Sequence, residues 1–356
     1  MRSYRIAVMP GDGIGPEVVG AGVEVLNAVQ ERHGRFRFDF ETFLWGSEYY
    51  RVNGRMMPED GLEQLRPFDA IYFGAVGDPG IPDHITLWGL RLAICQGFDQ
   101  YANVRPARLL PGIDGPLRAG ASFDCIIVRE NSEGEYAGQG GRSHRGHPEE
   151  VATEVAIFTR AGVTRIMRFA FGLARQRERK HLTVVTKSNA QRHGMVMWDE
   201  IAREVAADFP EVGVRFELVD AMSTRFVLKP ETIDVVVATN LHADILSDLA
   251  SAISGSLGIA PTANLDPERR FPSMFEPIHG SAFDIVGEGI ANPLATFWTG
   301  AMMLDHLGEG EAARSLMDAI ERVTASRRFF TPDLGGGATT KEVTEAVCRA
   351  VRGANL

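Results

Sequence analysis

The sequence has few cysteines and no long apolar run. Cys95, Cys125 and Cys348 are far apart, odd in number and form no CxxC pair. This spacing argues against a disulfide framework or a zinc site, so we expect three buried thiols in a reducing compartment, the cytoplasm. No apolar stretch approaches the roughly 20 residues that a membrane-spanning helix needs, so we expect no membrane partner.

The chain also lacks a surplus of positive charge. Its 356 residues contain 37 Lys and Arg against 47 Asp and Glu, a formal net charge of −10. This acidic balance argues against a nucleic-acid partner. Hydrophobic residues make up 44% of the chain, which is typical of a folded globular protein and excludes a disordered one. The length suits two domains.

Strand-like and helical patterns alternate almost throughout the chain. Short apolar runs predict strands, and helical spacing of apolar residues separates several of them. This alternation predicts an α/β fold with open sheets. The predicted strands cover residues 5–9, 36–43, 70–73, 124–128, 182–186, 215–219 and 234–238.

The segment GDGIG at 11–15 follows a strand and opens a helix, as a dinucleotide-binding loop would. However, Pro16 occupies the third glycine position of that fingerprint. The segment therefore favours a tight turn between strand and helix, and we predict no Rossmann fold.

The stretch NLHADILSD at 240–248 places two carboxylates on one helical face. Asp244 and Asp248 are four residues apart, so they repel each other unless a cation lies between them. Asp220 closes another strand-like run, and the three acids with no nearby cysteine favour Mg²⁺ or Mn²⁺. A solvated acidic face is the alternative, and the apolar flank of the helix, which includes Ile245, favours the metal.

Three basic side chains follow predicted strands or a rigid turn. Lys187 ends a strand where α/β folds place their chemistry, which makes it a candidate general base. Arg129 follows the strand CIIV, and Arg105 is held by the adjacent proline. Both suit bidentate capture of a carboxylate, although taken singly each residue is more often part of a polar surface. Together with a metal they describe a pocket for a small polyanionic acid.

The stretch EPIHGSAFDIVGEGIANP at 276–293 is too structured in composition for a linker. Asp284 within it could accept both hydroxyls of an adenosine ribose and would repel a 2′-phosphate. An ordered surface loop is the alternative.

These segments, in this order, resemble the metal-dependent β-decarboxylating dehydrogenases of 2-hydroxy acids, which include isopropylmalate, isocitrate and tartrate/D-malate dehydrogenases. The resemblance extends from GDGIGPE to the C-terminal part of the chain through NVRP, VRENSEGEY, TKSN, VDAM and NLHADILSDLAS. Within the family, PDHITLWGL, GFDQY and FPSMFEPIHGSAFDI are most similar to the tartrate/D-malate enzymes.

The resemblance implies two α/β domains that flank a cleft, in an isopropylmalate-dehydrogenase-like fold. An NAD-binding domain would comprise residues 1–100 and 255–356. A substrate, metal and dimerisation domain would comprise residues 101–254, with an arm near 137–150 that joins two subunits of a homodimer.

The resemblance also implies roles for individual residues. Lys187 would be the base, tuned by Asp220, and Tyr136 the proton donor. In the family, the residues that match Asp220 and Lys187 come from the partner subunit, so the site would be shared. The remaining implied residues are the metal ligands Asp220, Asp244 and Asp248, the substrate ligands Arg105, Arg129 and Asn189, and the NAD-binding residues Asn240, His279, Gly280, Asp284, Ile285 and Asn292.

One position departs from the family pattern. The family has an arginine ten residues before the one in NVRP, and this chain has Cys95 there. A thiol cannot hold a carboxylate, so a charge-assisted contact of about 1.5–3 kcal/mol is missing. Arg91 lies one helical turn earlier, and we hypothesise that it partly replaces the missing cation. A substrate with a different or uncharged distal group is the competing explanation.

The expected reaction is NAD-dependent oxidation of a small 2-hydroxy diacid such as tartrate or D-malate, with loss of CO₂ where a β-carboxylate is present. A monovalent cation is a further candidate cofactor. The alternatives are 3-isopropylmalate dehydrogenase and a protein that binds metal and diacids without redox chemistry.

Overall fold

A computed structural model describes residues 1–117 and 122–354. The chain divides into two compact units. Unit 1 comprises Met1–Gln100, Leu109–Pro116 and Ser251–Leu356, and unit 2 comprises Tyr101–Arg108 and Leu117–Ala250. Among the described residues, no helix combines the length and the apolar character needed to cross a membrane.

The strands of the described residues alternate with helices along the chain, as the sequence predicts. They are β1 (Arg2–Gly11), β2 (Phe36–Thr42), β3 (Ala70–Ala75), β4 (Ala102–Arg108), β5 (Asp124–Glu130), β6 (Gly134–Ser143), β7 (Val151–Ile157), β8 (His181–Thr186), β9 (Gly213–Leu218), β10 (Val235–Ala238), β11 (Pro261–Leu265) and β12 (Ser273–Pro277).

The helices are mostly short and amphipathic. They are α1 (Gly15–His33), α2 (Ser47–Asn53), α3 (Gly61–Leu65), α4 (Asp83–Gly89), α5 (Arg91–Gly97), α6 (Arg160–Gln176), α7 (Gly194–Ala206), α8 (Val219–Leu228), α9 (Asn240–Ile253), α10 (Leu294–His306), α11 (Gly310–Ala325) and α12 (Thr340–Val351).

Unit 1 contains five strands in the order β2-β1-β3-β12-β11, all parallel except the β11–β12 pair. Helices α1, α10, α11 and α12 pack together, and their apolar sides form a core with β1, β3 and β12. Every residue of β3 is buried, as expected for a central parallel strand.

Unit 2 contains five strands in the order β4-β5-β10-β8-β9, all parallel except the β4–β5 pair. Helices α6 and α7 cover this sheet. Because β5, β10 and β8 are parallel, their carboxyl ends lie at one edge of the sheet. Arg129, Asn240 and Lys187 stand at or shortly after these ends, and the fold thereby joins Arg129 to Asn240, 111 residues further along the chain.

The turn after β1 is held by contacts within the protein. A Cβ on Gly11, whose φ is +69°, would lie 1.9 Å from the carbonyl oxygen of Ala75. The buried carboxylate of Asp12 accepts hydrogen bonds from the backbone and hydroxyl of Ser47, both at 2.7 Å, and from the Gly77 amide at 2.9 Å. The predicted tight turn is confirmed, and the mixed α/β architecture is not a Rossmann arrangement.

Strands β6 and β7 form a separate antiparallel ribbon. The residues of β6 from Gly138 onward are exposed. All residues of β7 are exposed as well, including the apolar Val151, Val155 and Ile157. The segment near 137–150 that we predict to be an arm comprises the second part of β6 and the connection from β6 to β7.

Candidate active site

Helix α9 presents its two acids on the side opposite its buried face. Ala243, Leu246 and Ala250 are fully buried. The side chain of Asp244 is 32% exposed, and Asp248 lies one turn further along. Ile245, expected in the apolar flank, is instead 55% exposed, because helical rotation directs it away from the buried face.

Two buried arginines surround Asp244. Arg129, at the carboxyl end of β5, forms an ion pair with Asp244, and its Nε and Nη2 donate to the Asn240 Oδ1 at 2.9 and 2.6 Å. Arg105, on β4, lies 3.2 Å from the same carboxylate and donates to the Ser247 hydroxyl at 2.6 Å. Both guanidinium groups are therefore fixed in orientation before any ligand binds.

Tyr136 joins the same cluster from β6. Its hydroxyl lies 3.4 Å from the Asp244 Oδ2 and donates to it. The Arg129 guanidinium carbon lies 5.2 Å from the centroid of the Tyr136 ring, within the range of a cation–π interaction. The fold thus assembles Arg105, Arg129, Tyr136 and Asp244 from four different elements.

The other two predicted acids have contrasting surroundings. Burial raises the pKa of Asp248, and the Asp244 charge adds to this, while Arg105 and Arg129 oppose it. Asp220 lies in the first turn of α8, not in a strand, and its carboxylate accepts a 2.6 Å bond from the Lys187 Nζ. That bond lowers the pKa of Asp220.

The described residues of one chain contain no cluster of three side chains that could hold a metal ion. Asp244 and Asp248 are close in one helix, but Asp220 is paired with Lys187 in its own chain. Asn189 lies in an exposed turn after Lys187, and within the described residues no hydrogen bond joins it to the other predicted residues.

The predicted NAD-binding segment lies in unit 1. The Asn292 Nδ2 donates to Asp333 at 3.0 Å, and the exposed Asp284 lies with the half-buried Ile285 in the short 3-10 turn Phe283–Ile285. The His279 Nδ1 lies 3.0 Å from the carbonyl oxygen of Gly280, whereas its Nε2 is buried without a hydrogen-bond partner among the described residues. Burial lowers the pKa of His279, so the neutral ring is favoured.

Arg91 begins α5 in unit 1 and is already bonded. Its Nε donates to the Glu276 Oε1 at 2.7 Å, and its Nη2 donates to the Asn264 Oδ1 at 3.3 Å. In the Arg91–Glu276 ion pair, the side chain of Arg91 is 11% exposed and that of Glu276 is 5% exposed. Cys95, in contrast, packs in an apolar cluster of the same unit with Phe73 and is 1% exposed.

Some site residues were not predicted from the sequence. Ser247 orients Arg105 and lies three residues after Asp244, a helical spacing that indicates a shared side of α9. Glu276 lies in the stretch FPSMFEPIHGSAFDI, but its pairing with Arg91 joins positions 185 residues apart, which no local pattern reveals.

Comparison with known proteins decides the family. The sequence profile described as isocitrate/isopropylmalate dehydrogenase matches residues 5–347. The chain belongs to the isocitrate/isopropylmalate dehydrogenase family. The predicted resemblance is confirmed, and the protein is a dehydrogenase of this family.

Several curated members of the family cover essentially the whole chain. A probable tartrate dehydrogenase/decarboxylase, TtuC, of Agrobacterium vitis is 69% identical over 100% of this chain and 98% of its own length. The D-malate dehydrogenase [decarboxylating] of Escherichia coli K12 is 52% identical over 99% of both chains. Among solved structures, isocitrate dehydrogenase from Methylococcus capsulatus is 36% identical, with a TM-score of 0.89 over 98% of this chain and 99% of that one.

The residues present fit the cofactors that the isocitrate/isopropylmalate dehydrogenase family implies. For a divalent ion, Asp244 and Asp248 offer the all-oxygen ligands that hard cations prefer. For NAD, the His279 Nε2 in unit 1 is buried without a hydrogen-bond partner among the described residues. Such buried orphan atoms are costly unless a ligand or water satisfies them.

Proposed function

We propose that the protein is an NAD-dependent and divalent-metal-dependent dehydrogenase that oxidises, and where possible decarboxylates, a small 2-hydroxy diacid such as D-malate or tartrate. The observation that carries the proposal is the cluster in which Arg105, Arg129 and Tyr136 converge on Asp244. It combines carboxylate-binding cations, a phenolic proton donor and a metal-binding acid in one place. The names of the relatives support this substrate class.

Substrate binding follows from the fixed guanidinium groups. Arg105 and Arg129 would each pair with a substrate carboxylate, since a planar guanidinium matches a carboxylate in two hydrogen bonds. Asp244 and Asp248, with the partner subunit's Asp220, would hold Mg²⁺ or Mn²⁺, which supplies Lewis-acid polarisation of the substrate oxygens. NAD, held by His279 and its neighbours, supplies the hydride acceptor.

Proton transfer would use two groups, Tyr136 of the subunit that carries Asp244 and Lys187 of the other subunit. Lys187, as the neutral amine, would take the proton of the substrate hydroxyl during oxidation, and the Asp220 carboxylate bonded to its Nζ would stabilise the ammonium that forms. Loss of CO₂ from the resulting β-keto acid leaves a carbanion equivalent on the former β-carbon. The Tyr136 hydroxyl would then protonate this carbon, so that D-malate gives pyruvate and CO₂. Oxidation of tartrate would depend on its isomer.

A homodimer would complete this site. Asp220 and Lys187 form their own pair in one chain, and their side chains are 65% and 30% exposed, so both are accessible to a second copy. The exposed apolar residues of the β6–β7 ribbon offer a surface for that copy. We place the protein in the cytoplasm, because its three cysteines are buried free thiols.

The experiment is a substrate panel read by the absorbance of NADH. D-malate, the isomers of tartrate, isocitrate and 3-isopropylmalate are each supplied with NAD, Mn²⁺ or Mg²⁺, with and without K⁺. We expect NADH from D-malate or a tartrate isomer and loss of activity with EDTA, restored by Mn²⁺. A preference for 3-isopropylmalate would replace the proposed substrate, and no NADH from any diacid would favour a non-redox binding protein.

A further inference from the structure

Glu130 follows Arg129 and is buried where the mechanism has no use for a carboxylate. Glu130 is 1% exposed. The carboxylate accepts the backbone N–H of Ser132 at 3.1 and 3.2 Å, and the backbone N–H of Glu133 at 2.7 Å. The Glu130 side chain therefore folds back over residues 131–133, the turn between β5 and β6.

The far end of that turn is tied as well. The Glu133 carboxylate accepts hydrogen bonds from the backbone N–H of Thr159, at 2.8 Å, and from the Thr159 hydroxyl. Thr159 is the N-cap of α6, where its hydroxyl accepts from the Gly162 amide at 3.0 Å. A Cβ on Gly162 would lie 2.3 Å from the Glu133 carboxyl, so glycine is needed there for this contact.

The tied turn connects the two groups on which the proposed decarboxylation depends. Arg129 precedes it at the end of β5, and Tyr136 follows it near the start of β6. Since both side chains contact Asp244, the length and shape of the turn set the distance between the carboxylate-binding cation and the proton donor.

We propose that Glu130 is a positioning residue, which fixes this turn and thereby holds Arg129 and Tyr136 in register for the loss of CO₂ and the protonation that completes it. The inference rests on the proposed function. Glu130 acts through the backbone of Ser132 and Glu133 and not on the substrate. Its required property is an acceptor oxygen at the place of its Oε2, which accepts both N–H groups.

The test compares two replacements of similar size. Glu130→Gln keeps one acceptor oxygen, and Glu130→Met removes both. With D-malate, NAD and Mn²⁺, oxaloacetate and pyruvate are trapped as phenylhydrazones and counted per NADH. We expect the Met variant to release oxaloacetate and to lose kcat by roughly 10- to 100-fold, the cost typical of a misplaced catalytic group. The Gln variant should restore the wild-type ratio of pyruvate to NADH.

A matched control separates positioning from stability. Asp234 is also a 1% exposed carboxylate of unit 2, and it pairs with Arg177 before β10. Asp234→Asn should lower Tm and leave the product ratio unchanged. A folded Glu130→Met that lowers Tm with an unchanged product ratio would overturn the inference.

A second variant, Thr159→Val, tests the positioning role of the turn if Glu130→Met does not fold. Thr159→Val removes the exposed hydroxyl that ties Glu133, and it should shift the product ratio in the same direction but less. An unchanged ratio there would also overturn the inference. Wild-type protein that makes no NADH from D-malate or tartrate would contradict the proposed function instead.

Discussion

Among single residues, Arg91, Arg105 and Arg129 differ in the carboxylates with which they form ion pairs. Arg105 and Arg129 share Asp244, an acid that a metal would engage, whereas Arg91 is paired with the buried Glu276. A substrate role for Arg91 therefore requires that Glu276 keeps part of its pairing when a diacid binds. The substitution Arg91→Ala would remove any contact with the substrate and the buried ion pair with Glu276 at the same time. A loss of activity in this variant would therefore not separate substrate binding from folding.

We predict that Arg91→Met alone destabilises the protein by about 3–5 kcal/mol, because it leaves a buried carboxylate without its cation. The double variant Arg91→Met/Glu276→Gln removes both charges and should recover most of that loss in chemical denaturation. If Arg91 also binds the distal carboxylate, the folded double variant will show a raised KM for D-malate. An unchanged KM in the double variant would contradict the substrate role.

Arg129 tests the bidentate geometry of the site. Lysine keeps the charge but cannot donate from two positions to the Asn240 Oδ1. We predict that Arg129→Lys lowers kcat/KM for D-malate roughly 10- to 100-fold, as the loss of a charge-assisted contact implies. Arg168→Lys, at an exposed pair with Asp208, is the control and should leave kinetics unchanged. Equal effects of the two changes would refute the prediction.

At the scale of structural elements, the turn between β5 and β6 should make stability depend on pH. Burial raises the pKa of Glu130 to about 7 from an ordinary value of 4.5, and the Glu133 charge adds to this, while Arg165 and the two backbone amides oppose it. As pH rises from about 4.5 to 7, the unfolded chain loses this proton before the folded one does. Stability from this group is thus present at low pH and lost as pH approaches 7.

The expected loss across this window is at most roughly 3 kcal/mol for wild-type protein. Glu130→Gln should remove this part of the slope, because its amide does not titrate. Urea unfolding at several pH values gives the free energy of unfolding of both proteins. The contributions of the other carboxylates cancel in the difference between the two values at each pH. Parallel curves for the two proteins would show that Glu130 does not titrate in this range.

Elements with a buried face could be predicted from the sequence, and others could not. Strand β3 and helix α1 have clear apolar patterns, and α1 ends at His33, where Gly34 caps it in a left-handed conformation. The ribbon of β6 and β7 is exposed on both faces beyond its first residues, so it carries no alternation of apolar and polar residues. The sequence predicts Asp220 at a strand end, but the strand stops at Leu218 and a helix follows.

The same reasoning explains what could be predicted of the site. Asp244 and Asp248 were recognised because both lie in one helix with a fixed period. The convergence of Arg105, Arg129 and Tyr136 on Asp244 depends on strand order, and here the family resemblance supplied what spacing could not. Pairs such as Arg91 with Glu276 join distant segments, so only the folded structure reveals them.

For the whole molecule, the decisive question is which chain supplies Lys187. The described residues of one chain hold no complete metal cluster, and we predict that each site combines Asp244 of one subunit with Lys187 of the other. Lys187→Met and Asp244→Asn should each be inactive as homodimers. In a heterodimer of the two, isolated with two affinity tags, one site carries both changes and the other carries none, so about half of the wild-type activity should return. If Lys187 acts within its own chain, every site keeps one defect and the heterodimer stays inactive.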